Sequence, residues 1–188
     1  MTRVTGLPVT DRNWALFLDR DGVINHEKDQ SYIFHYDEFI FYEGVKEAFA
    51  ILAGLFGHIF VVTNQRGIGK GLMTEMDLAE IHLNMRKEIE KAGGRVDRIY
   101  YSDSLSNDHP HRKPNPGMAF QAKKDHPEID LRRSIMVGNN LSDMEFGRNA
   151  GMYTIYLRTT APQQPLPHPL IDLSFNSLYD FAKALQQL

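Results

Sequence analysis

The stretch that decides the fold is residues 14–22, with the sequence WALFLDRDG. Its first five residues, Trp14 to Leu18, are apolar and predict a short β-strand, and Asp19, Arg20 and Asp21 follow directly. Ligands of an open parallel sheet bind beyond the carboxyl ends of its strands. A polar cluster that begins where a buried strand ends therefore indicates where a functional site would lie.

The rest of the chain alternates short apolar runs with longer amphipathic segments, the pattern of a parallel sheet covered by helices. The predicted strands are Trp14 to Leu18, Ile59 to Val62, Arg98 to Tyr101, Ser134 to Val137 and Met152 to Leu157. The predicted helices are Val45 to Leu55, Glu75 to Ala92 after an N-cap at Thr74, Gly117 to Lys124, Leu141 to Ala150 and Leu178 to Leu185. We expect residues 1–188 to form one α/β domain.

Composition and charge limit the kind of partner. The chain has 188 residues, 42% of them hydrophobic, and a formal net charge of −3, so we expect a small-molecule partner and neither nucleic acid nor membrane. Cysteine is absent, which excludes disulfides, thiolate zinc sites and a cysteine nucleophile. Met1 to Asp11 lacks the apolar core of a secretory signal. We therefore expect a cytoplasmic protein, and a monomer.

Three polar segments directly follow predicted strands, and a fourth lies in the loop that leaves the third strand on the same side. They are Asp19-Arg20-Asp21-Gly22, Thr63-Asn64-Gln65, Arg112-Lys113-Pro114 and Gly138-Asn139-Asn140-Leu141-Ser142-Asp143. Because parallel strands end at the same edge of a sheet, we expect these segments to converge. Taken alone, each has a plainer interpretation, since a threonine often bonds a neighbouring carbonyl and a loop lysine is usually solvated. Their convergence is what favours a functional site.

The carboxylates of Asp19 and Asp21 are two residues apart at a strand end, so both side chains can point to the same side. Two crowded carboxylates need a cation, and Mg²⁺ binds oxygen ligands together with phosphate. One carboxylate could attack phosphorus while the other moves the proton of the leaving group. An Asp-Gly turn with two solvated charges explains the pair alone equally well.

Two competing motifs do not fit. A calcium-binding EF-hand loop also opens with Asp-x-Asp, but it needs glycine at its sixth position and Gly22 stands at the fourth. A P-loop from Asn64 to Gly71 has Gly69-Lys70, but it lacks the first glycine and the closing Ser or Thr. We interpret this glycine-containing segment as a flexible loop that faces the substrate.

The motifs resemble those of a known family. DRDGVIN, from Asp19 to Asn25, resembles the first motif of phosphatases of the haloacid dehalogenase (HAD) superfamily, and the later motifs would fall at Thr63, Lys113 and Asp143. Three further segments are similar to the branch that contains heptose bisphosphate phosphatase and histidinol phosphatase: Thr63 to Gly71, Tyr100-Tyr101 and Arg112 to Met118. The resemblance covers about Ala15 to Leu157.

The resemblance implies a Rossmann-like three-layer sandwich with a mainly parallel sheet and no large cap domain. It implies that Asp19 is a nucleophile that forms an aspartyl-phosphate and that Asp21 is the general acid and base. Three further sets of residues have implied roles: Thr63 and Lys113 hold phosphoryl oxygens; Asp19, Asp21, Asn139 and Asp143 hold Mg²⁺; Asn25, Asn64, Lys70 and Arg112 contact substrate.

Two departures from the family pattern matter. Relatives of the heptose type usually carry a zinc loop of Cys and His, whereas Ser102 to His111 is short and offers only His109 and His111, so we expect no structural zinc. The fourth motif normally begins Gly-Asp, and here it begins Gly138-Asn139. An amide can still offer a carbonyl oxygen to a metal, but the site loses one negative charge.

The sequence thus predicts a Mg²⁺-dependent phosphatase acting on a small phosphorylated metabolite. Our first expectation for the substrate is D-glycero-D-manno-heptose 1,7-bisphosphate, and histidinol phosphate is the second. The alternative from another functional class is a weakened phosphate-binding or regulatory protein of the same superfamily. Only Asn139 favours that alternative.

Overall fold

The structure is a computed structural model and describes residues 6–28 and 31–188. The remaining residues, 1–5 and 29–30, include part of the segment Met1 to Asp11, so the expectation about a secretory signal lies partly outside the described residues. Among the described residues, none of the helices combines the length and the hydrophobicity needed to cross a lipid bilayer.

In the described part of the chain, one six-stranded sheet forms the centre of the fold, and each of its strands pairs in parallel with its neighbours. The strands are β1 (Ala15–Leu18), β2 (His58–Asn64), β3 (Arg98–Ser102), β4 (Ser134–Gly138), β5 (Tyr153–Leu157) and β6 (Leu173–Phe175). Their spatial order is β3-β2-β1-β4-β5-β6. The direction of winding reverses beside β1, and such a switch point is where α/β sheets bind ligands.

Six α-helices accompany the strands, five of them in the connections between strands and one after the last strand, among the described residues. They are α1 (Val45–Leu55), α2 (Arg66–Gly69), α3 (Glu75–Lys91), α4 (Gly117–Asp125), α5 (Leu141–Asn149) and α6 (Leu178–Gln186) among the described residues, with 3-10 turns at Tyr36–Glu38 and Leu131–Arg133. Thr74 caps α3 as predicted, because its hydroxyl accepts the Asp77 N–H and Asp77 accepts the Thr74 N–H in return.

Both faces of the sheet are buried. Leu16 and Leu18 of β1 pack into a cluster with α1, α3 and α6, whereas Ala15 and Phe17 pack into a second cluster with α4 and α5. Strands covered on both faces have continuous apolar sequences instead of alternating ones, which is why these strands were recognisable from unbroken hydrophobic runs. The predicted α/β class with a parallel sheet is confirmed.

The structure corrects one prediction about local conformation and adds one strand. The segment from Asn64 to Gly71 is not a flexible loop, because it contains α2 and because a Cβ at Gly69 would overlap the Asp103 carbonyl oxygen. Gly69 therefore permits close backbone packing. The sequence also gave no indication of β6, which has only three residues, all of them partly exposed. Such a strand is too short to show a periodic pattern.

Candidate active site

The strand-end segments meet in one pocket at the carboxyl edge of the sheet. The pocket has a volume of about 160 Å³ and is lined by Asp19, Asp21, Glu27, Thr63, Asn64, Lys113, Asn140, Ser142 and Asp143. Asp19 follows β1, and its N–H donates to the Val137 carbonyl of β4 at 3.0 Å, which places it at the switch point. A larger cleft of about 670 Å³, which includes Tyr42, Glu47 and Arg158, contains none of the strand-end carboxylates.

Lys113 joins the two most buried carboxylates of this pocket. Its Nζ lies 2.9 Å from Asp19 Oδ1 and 2.7 Å from Asp143 Oδ1. Burial and the nearby charge of Asp143 raise the pKa of Asp19 to about 7, although Lys113 opposes that rise. Burial disfavours the Lys113 cation, but the charges of Asp143 and Asp19 outweigh it and raise the pKa of Lys113. One lysine thus does not fully neutralise the two carboxylates.

Asp21 has the opposite electrostatic environment. Burial would raise its pKa, but the Arg20 guanidinium and the donors Asn25 and Gln65 lower it. Arg20 Nη2 donates to both carboxylate oxygens at 2.8 and 2.9 Å, and the side-chain amides of Asn25 and Gln65 each donate at 2.9 Å. The Asp21 side chain, 27% exposed, is therefore held in one orientation and ionised.

Behind Asp21 lies a pair of residues that the sequence analysis did not identify. Arg20 is fully buried, and its Nη1 lies 3.3 Å from His82 Nε2 on α3. Burial and the charge of Arg20 lower the pKa of His82 to about 3, so the imidazole is neutral and accepts a hydrogen bond from Arg20. The position of Arg20 between two aspartates was visible in the sequence, but the contact with His82 depends on tertiary packing.

Of the four residues predicted to contact substrate, the structure places one in the pocket lining. Asn64 lines the pocket and also exchanges two hydrogen bonds with the Lys113 backbone, at 3.0 and 3.1 Å. Asn25 is fully buried, and its amide donates to Asp21 and to the His26 carbonyl. Asn25 thus orients Asp21 instead of facing the pocket.

The two cationic residues predicted to contact substrate lie outside the pocket lining. Lys70 Nζ lies 5.3 Å above the Tyr32 ring. Arg112 donates to Asn107 and to the Ser104 carbonyl.

Asn139 lies beneath the pocket and is fully buried. Its Nδ2 donates to Thr160 Oγ1 at 2.9 Å and lies 3.5 Å from Glu27 Oε2. Its Oδ1 is buried without a hydrogen-bond partner among the described residues. A buried amide oxygen with no donor suits a cation, because the oxygen otherwise loses the solvation that it has in water.

Glu27 is an acidic group of the pocket that the sequence analysis missed. It lies on the exposed rim of the pocket, beside the Asn139 amide, and it follows Asp19 and Asp21 in the same segment. The carboxylates of Asp19 and Asp143 and the Oδ1 of Asn139 form a set of hard oxygen donors, and Glu27 adds a negative charge beside them. That donor set fits Mg²⁺, which takes oxygen ligands.

Two glycines allow this close packing. Gly22 has a φ of +83°, and a Cβ there would overlap the Asn139 side chain. A Cβ at Gly138 would overlap the Asp143 side chain, whose Oδ2 accepts the N–H groups of Asn139 and Asn140 at 3.2 and 3.0 Å. Both glycines therefore bring the ends of β1 and β4 together where the carboxylates meet.

The comparisons with known proteins agree with this geometry. Residues 110–169 match a family model described as HAD-hydrolase-like. The chain is 32% identical over 180 residues to D-glycero-alpha-D-manno-heptose-1,7-bisphosphate 7-phosphatase of Mycobacterium bovis, covering 92% of this chain and 91% of the relative. It is 39% identical over 143 residues to the corresponding enzyme of Campylobacter jejuni, covering 76% and 81%.

A solved structure shows the same architecture. D,D-heptose 1,7-bisphosphate phosphatase from B. bronchiseptica, complexed with magnesium and phosphate, superposes with a TM-score of 0.83 at 27% identity. The match covers 92% of this chain and 98% of that one. An Escherichia coli relative, 34% identical over 186 residues, is named for the beta anomer of the same sugar bisphosphate.

Proposed function

The chain belongs to the HAD-like phosphatases, in the family of the heptose-1,7-bisphosphate 7-phosphatases, and from this membership we propose that it releases the 7-phosphate of D-glycero-D-manno-heptose 1,7-bisphosphate. The observation that carries the proposal is the pair of buried carboxylates, Asp19 and Asp143, bridged by Lys113 next to Asp21 and Thr63. A nucleophile, a proton-transfer group and phosphate ligands thus line one pocket.

In the first chemical step, a carboxylate oxygen of Asp19 forms a bond to phosphorus while the bond from phosphorus to the sugar oxygen breaks. Asp21 gives a proton to the leaving sugar oxygen. In the second step, water attacks phosphorus of the aspartyl-phosphate, Asp21 takes the water proton, and the Asp19 carboxylate leaves. Because Asp21 is ionised at rest, it must take up a proton before it can act as the acid.

Other residues hold the phosphoryl group. Thr63 Oγ1 accepts a hydrogen bond from Gln65 at 2.9 Å, so its own hydrogen is free to donate to a phosphoryl oxygen. Lys113 supplies a positive charge between Asp19 and Asp143. When bound, Mg²⁺ stabilises the charge that develops on the phosphoryl oxygens, and Asp19, the Asp21 carbonyl, Asn139 and Asp143 would hold it.

A group of cations outside the pocket lining favours a bisphosphate substrate. Burial and the positive charge of Arg66 lower the pKa of Arg112, which indicates that the two guanidinium groups lie near each other. Together with Lys70 they offer a second anion site. The second phosphate of a heptose bisphosphate would neutralise these charges, whereas the cationic amine of histidinol phosphate would be repelled. Histidinol phosphate is therefore not the favoured substrate.

The test is phosphate release from both anomers of heptose 1,7-bisphosphate, from the corresponding heptose monophosphates and from histidinol phosphate, each with and without Mg²⁺. We expect the highest kcat/KM for a bisphosphate, release from position 7, and loss of activity in EDTA. Faster turnover of histidinol phosphate would contradict the substrate assignment. Absence of metal-dependent turnover on every ester would support the weakened phosphate-binding protein instead.

We also propose that the protein is cytoplasmic, monomeric and built as one domain. Light scattering on the purified protein should give a mass close to 21.6 kDa. For the loop from Ser102 to His111 we propose that no zinc is bound. Its His109 and His111 contact each other, with the His111 N–H donating to His109 Nδ1 at 3.3 Å, and elemental analysis of a variant lacking both imidazoles should match the wild type.

A further inference from the structure

Three potential metal ligands converge at the amino-terminal edge of the sheet, opposite the phosphatase pocket. His58 is the first residue of β2, His126 directly follows α4, and Glu128 lies in the next turn. Glu128 Oε1 is 3.0 Å from His58 Nε2 and 3.4 Å from His126 Nδ1. The three ligand atoms all lie within 4.8 Å of one another. Among the described residues, this is the one group of three or more His, Asp or Glu side chains with that spacing.

The spacing matches the coordination shell of a tetrahedral zinc ion. Bonds of about 2.0–2.1 Å at tetrahedral angles put neighbouring ligand atoms about 3.3 Å apart. The separations of Glu128 Oε1 from His58 Nε2 and from His126 Nδ1 lie on either side of that value. A hydrogen-bonded group without metal also gives such distances, and the experiments below distinguish the two.

The surrounding structure fixes the ligands before any ion arrives. The Phe60 ring stacks on the His58 ring at 5.7 Å with an angle of 10°, and it lies 5.0 Å from the His126 ring. Lys123 Nζ donates to the carbonyls of Pro127 and Ile129, which holds the turn that carries Glu128. Ligands held by packing lose little freedom when a metal binds, so the site is organised in advance.

We propose that His58, His126 and Glu128 form a site for a borderline transition-metal cation such as Zn²⁺, with a water molecule as the fourth ligand. Two imidazoles and one carboxylate suit Zn²⁺ and not Mg²⁺, which prefers oxygen ligands. The imidazoles are about one quarter exposed and Glu128 is 58% exposed, so an ion can enter directly from solvent. This proposal differs from our sequence-based expectation of no zinc, which rested on the Ser102 to His111 loop alone.

The experiment is calorimetric titration of the full chain, first freed of metal, with Zn²⁺, and a parallel titration with Co²⁺ followed by visible absorption. We expect one Zn²⁺ per chain and a Co²⁺ spectrum typical of four-coordinate sites. His126→Ala and Glu128→Gln should each weaken Zn²⁺ binding at least tenfold. Glu128→Gln is the sharper variant, because its amide oxygen still accepts hydrogen bonds from the imidazoles while the anionic ligand is lost.

The matched control is the double variant His109→Ala/His111→Ala, which removes the other pair of neighbouring imidazoles. It should bind Zn²⁺ as the wild type does. Mg²⁺-dependent phosphate release and circular dichroism show that each variant is folded. The proposal is wrong if the wild type binds no Zn²⁺, if His126→Ala and Glu128→Gln both retain wild-type affinity, or if the control loses it.

Discussion

At the scale of single residues, the two aspartates of the first motif differ because of what surrounds each carboxylate. Burial and the neighbouring charge of Asp143 raise the pKa of Asp19 to about 7, although Lys113, which the two carboxylates share, opposes the rise. Asp21 receives hydrogen bonds from Arg20, Asn25 and Gln65, so its pKa is lowered. Environments that separate the pKa values of two neighbouring carboxyls are typical of acid-base sites. The separation is consistent with different roles for these two residues.

Asp19→Asn should reduce turnover at least about a thousandfold, because a neutral amide cannot accept the phosphoryl group. In metal-free buffer at pH 8 the same variant should be at least as stable as the wild type, since it removes one of two buried anions that share a lysine. Phosphate release and thermal unfolding measure the two effects. Substantial residual turnover would exclude the covalent mechanism.

Asn139→Asp should lower the Mg²⁺ concentration that gives half-maximal activity, because it adds a negative charge at the buried Oδ1 position. A net gain of about 1.4 kcal/mol would appear as roughly tenfold tighter binding. The structure adds a cost in the metal-free state, since Asn139 Nδ2 lies 3.5 Å from Glu27 Oε2 and a carboxylate there would repel it. We therefore also expect a lower melting temperature without Mg²⁺.

The matched control for that variant is Gln187→Glu, which makes the same amide-to-carboxylate change at the exposed carboxyl end of α6. It should leave the Mg²⁺ titration unchanged. Identical midpoints for the wild type and Asn139→Asp would remove Asn139 from the metal site. In that case its amide serves only to link Thr160 with the loop that carries Glu27.

At the scale of elements, α2 shows how a glycine-rich segment can be ordered. Gly69 packs closely against the backbone of another segment, since a Cβ there would meet the Asp103 carbonyl and the Leu105 side chain. The short helix thereby fixes the chain between Asn64 and Lys70, two residues proposed to contact substrate. The same composition had suggested flexibility, because sequence alone does not reveal what a glycine packs against.

Gly69→Ala should destabilise the protein by about 1–3 kcal/mol and raise KM more than it lowers kcat, because α2 must move away from the Asp103 carbonyl. Chemical denaturation and steady-state kinetics test both parts. Gly54→Ala in α1 is the control, since nothing lies within 4 Å of the added Cβ, and it should stabilise by up to about 1 kcal/mol. Equal stability of Gly69→Ala and wild type would contradict the packing argument.

At the scale of the whole molecule, the sheet topology brings distant segments of the chain together. β1 lies between β2 and β4, so Asp19 after β1, Thr63 in β2 and Asp143 in the first turn of α5 after β4 come together, and Lys113 enters from the loop after β3. The Arg20–Asp21 pair is in turn backed by His82 of α3. The packing that stabilises the fold therefore also brings charged groups together in the pocket, so a change of charge in the pocket changes the stability of the fold.

This linkage predicts that Mg²⁺ stabilises the protein more at pH 8 than at pH 5. The folded-state pKa of Asp19 is raised to about 7, so the folded protein holds this proton more tightly, and the free energy of unfolding falls as pH rises from about 4 to about 7. Above that range Asp19 is ionised and free to bind metal, whereas below it a proton competes. Melting temperatures with and without Mg²⁺ at the two pH values test this.

The control for the pH effect is Asp19→Asn, in which the difference between the Mg²⁺-induced shifts at pH 5 and pH 8 should shrink. An equal shift at both pH values in the wild type would show that Asp19 does not titrate in this range. A larger shift at pH 5 would contradict the predicted sign.

The amino-acid sequence by itself determined the class of fold, five of the six strands and the order of the motifs. These features are encoded locally, since unbroken apolar runs and capping residues such as Thr74 act within a few residues of chain. It also located Asp19, Asp21, Thr63, Lys113 and Asp143 at strand ends or in the loop beside them, although their roles remain proposals.

Only the tertiary structure decided which side chains touch. The shared lysine, the Arg20–His82 contact, the buried position of Asn25, the ordered α2 and the three ligands His58, His126 and Glu128 all depend on packing between segments far apart in sequence. The raised pKa of Asp19 depends on the same packing, because burial and a neighbouring charge set it. A local pattern specifies a residue type at a position but not the environment that gives the residue its chemistry.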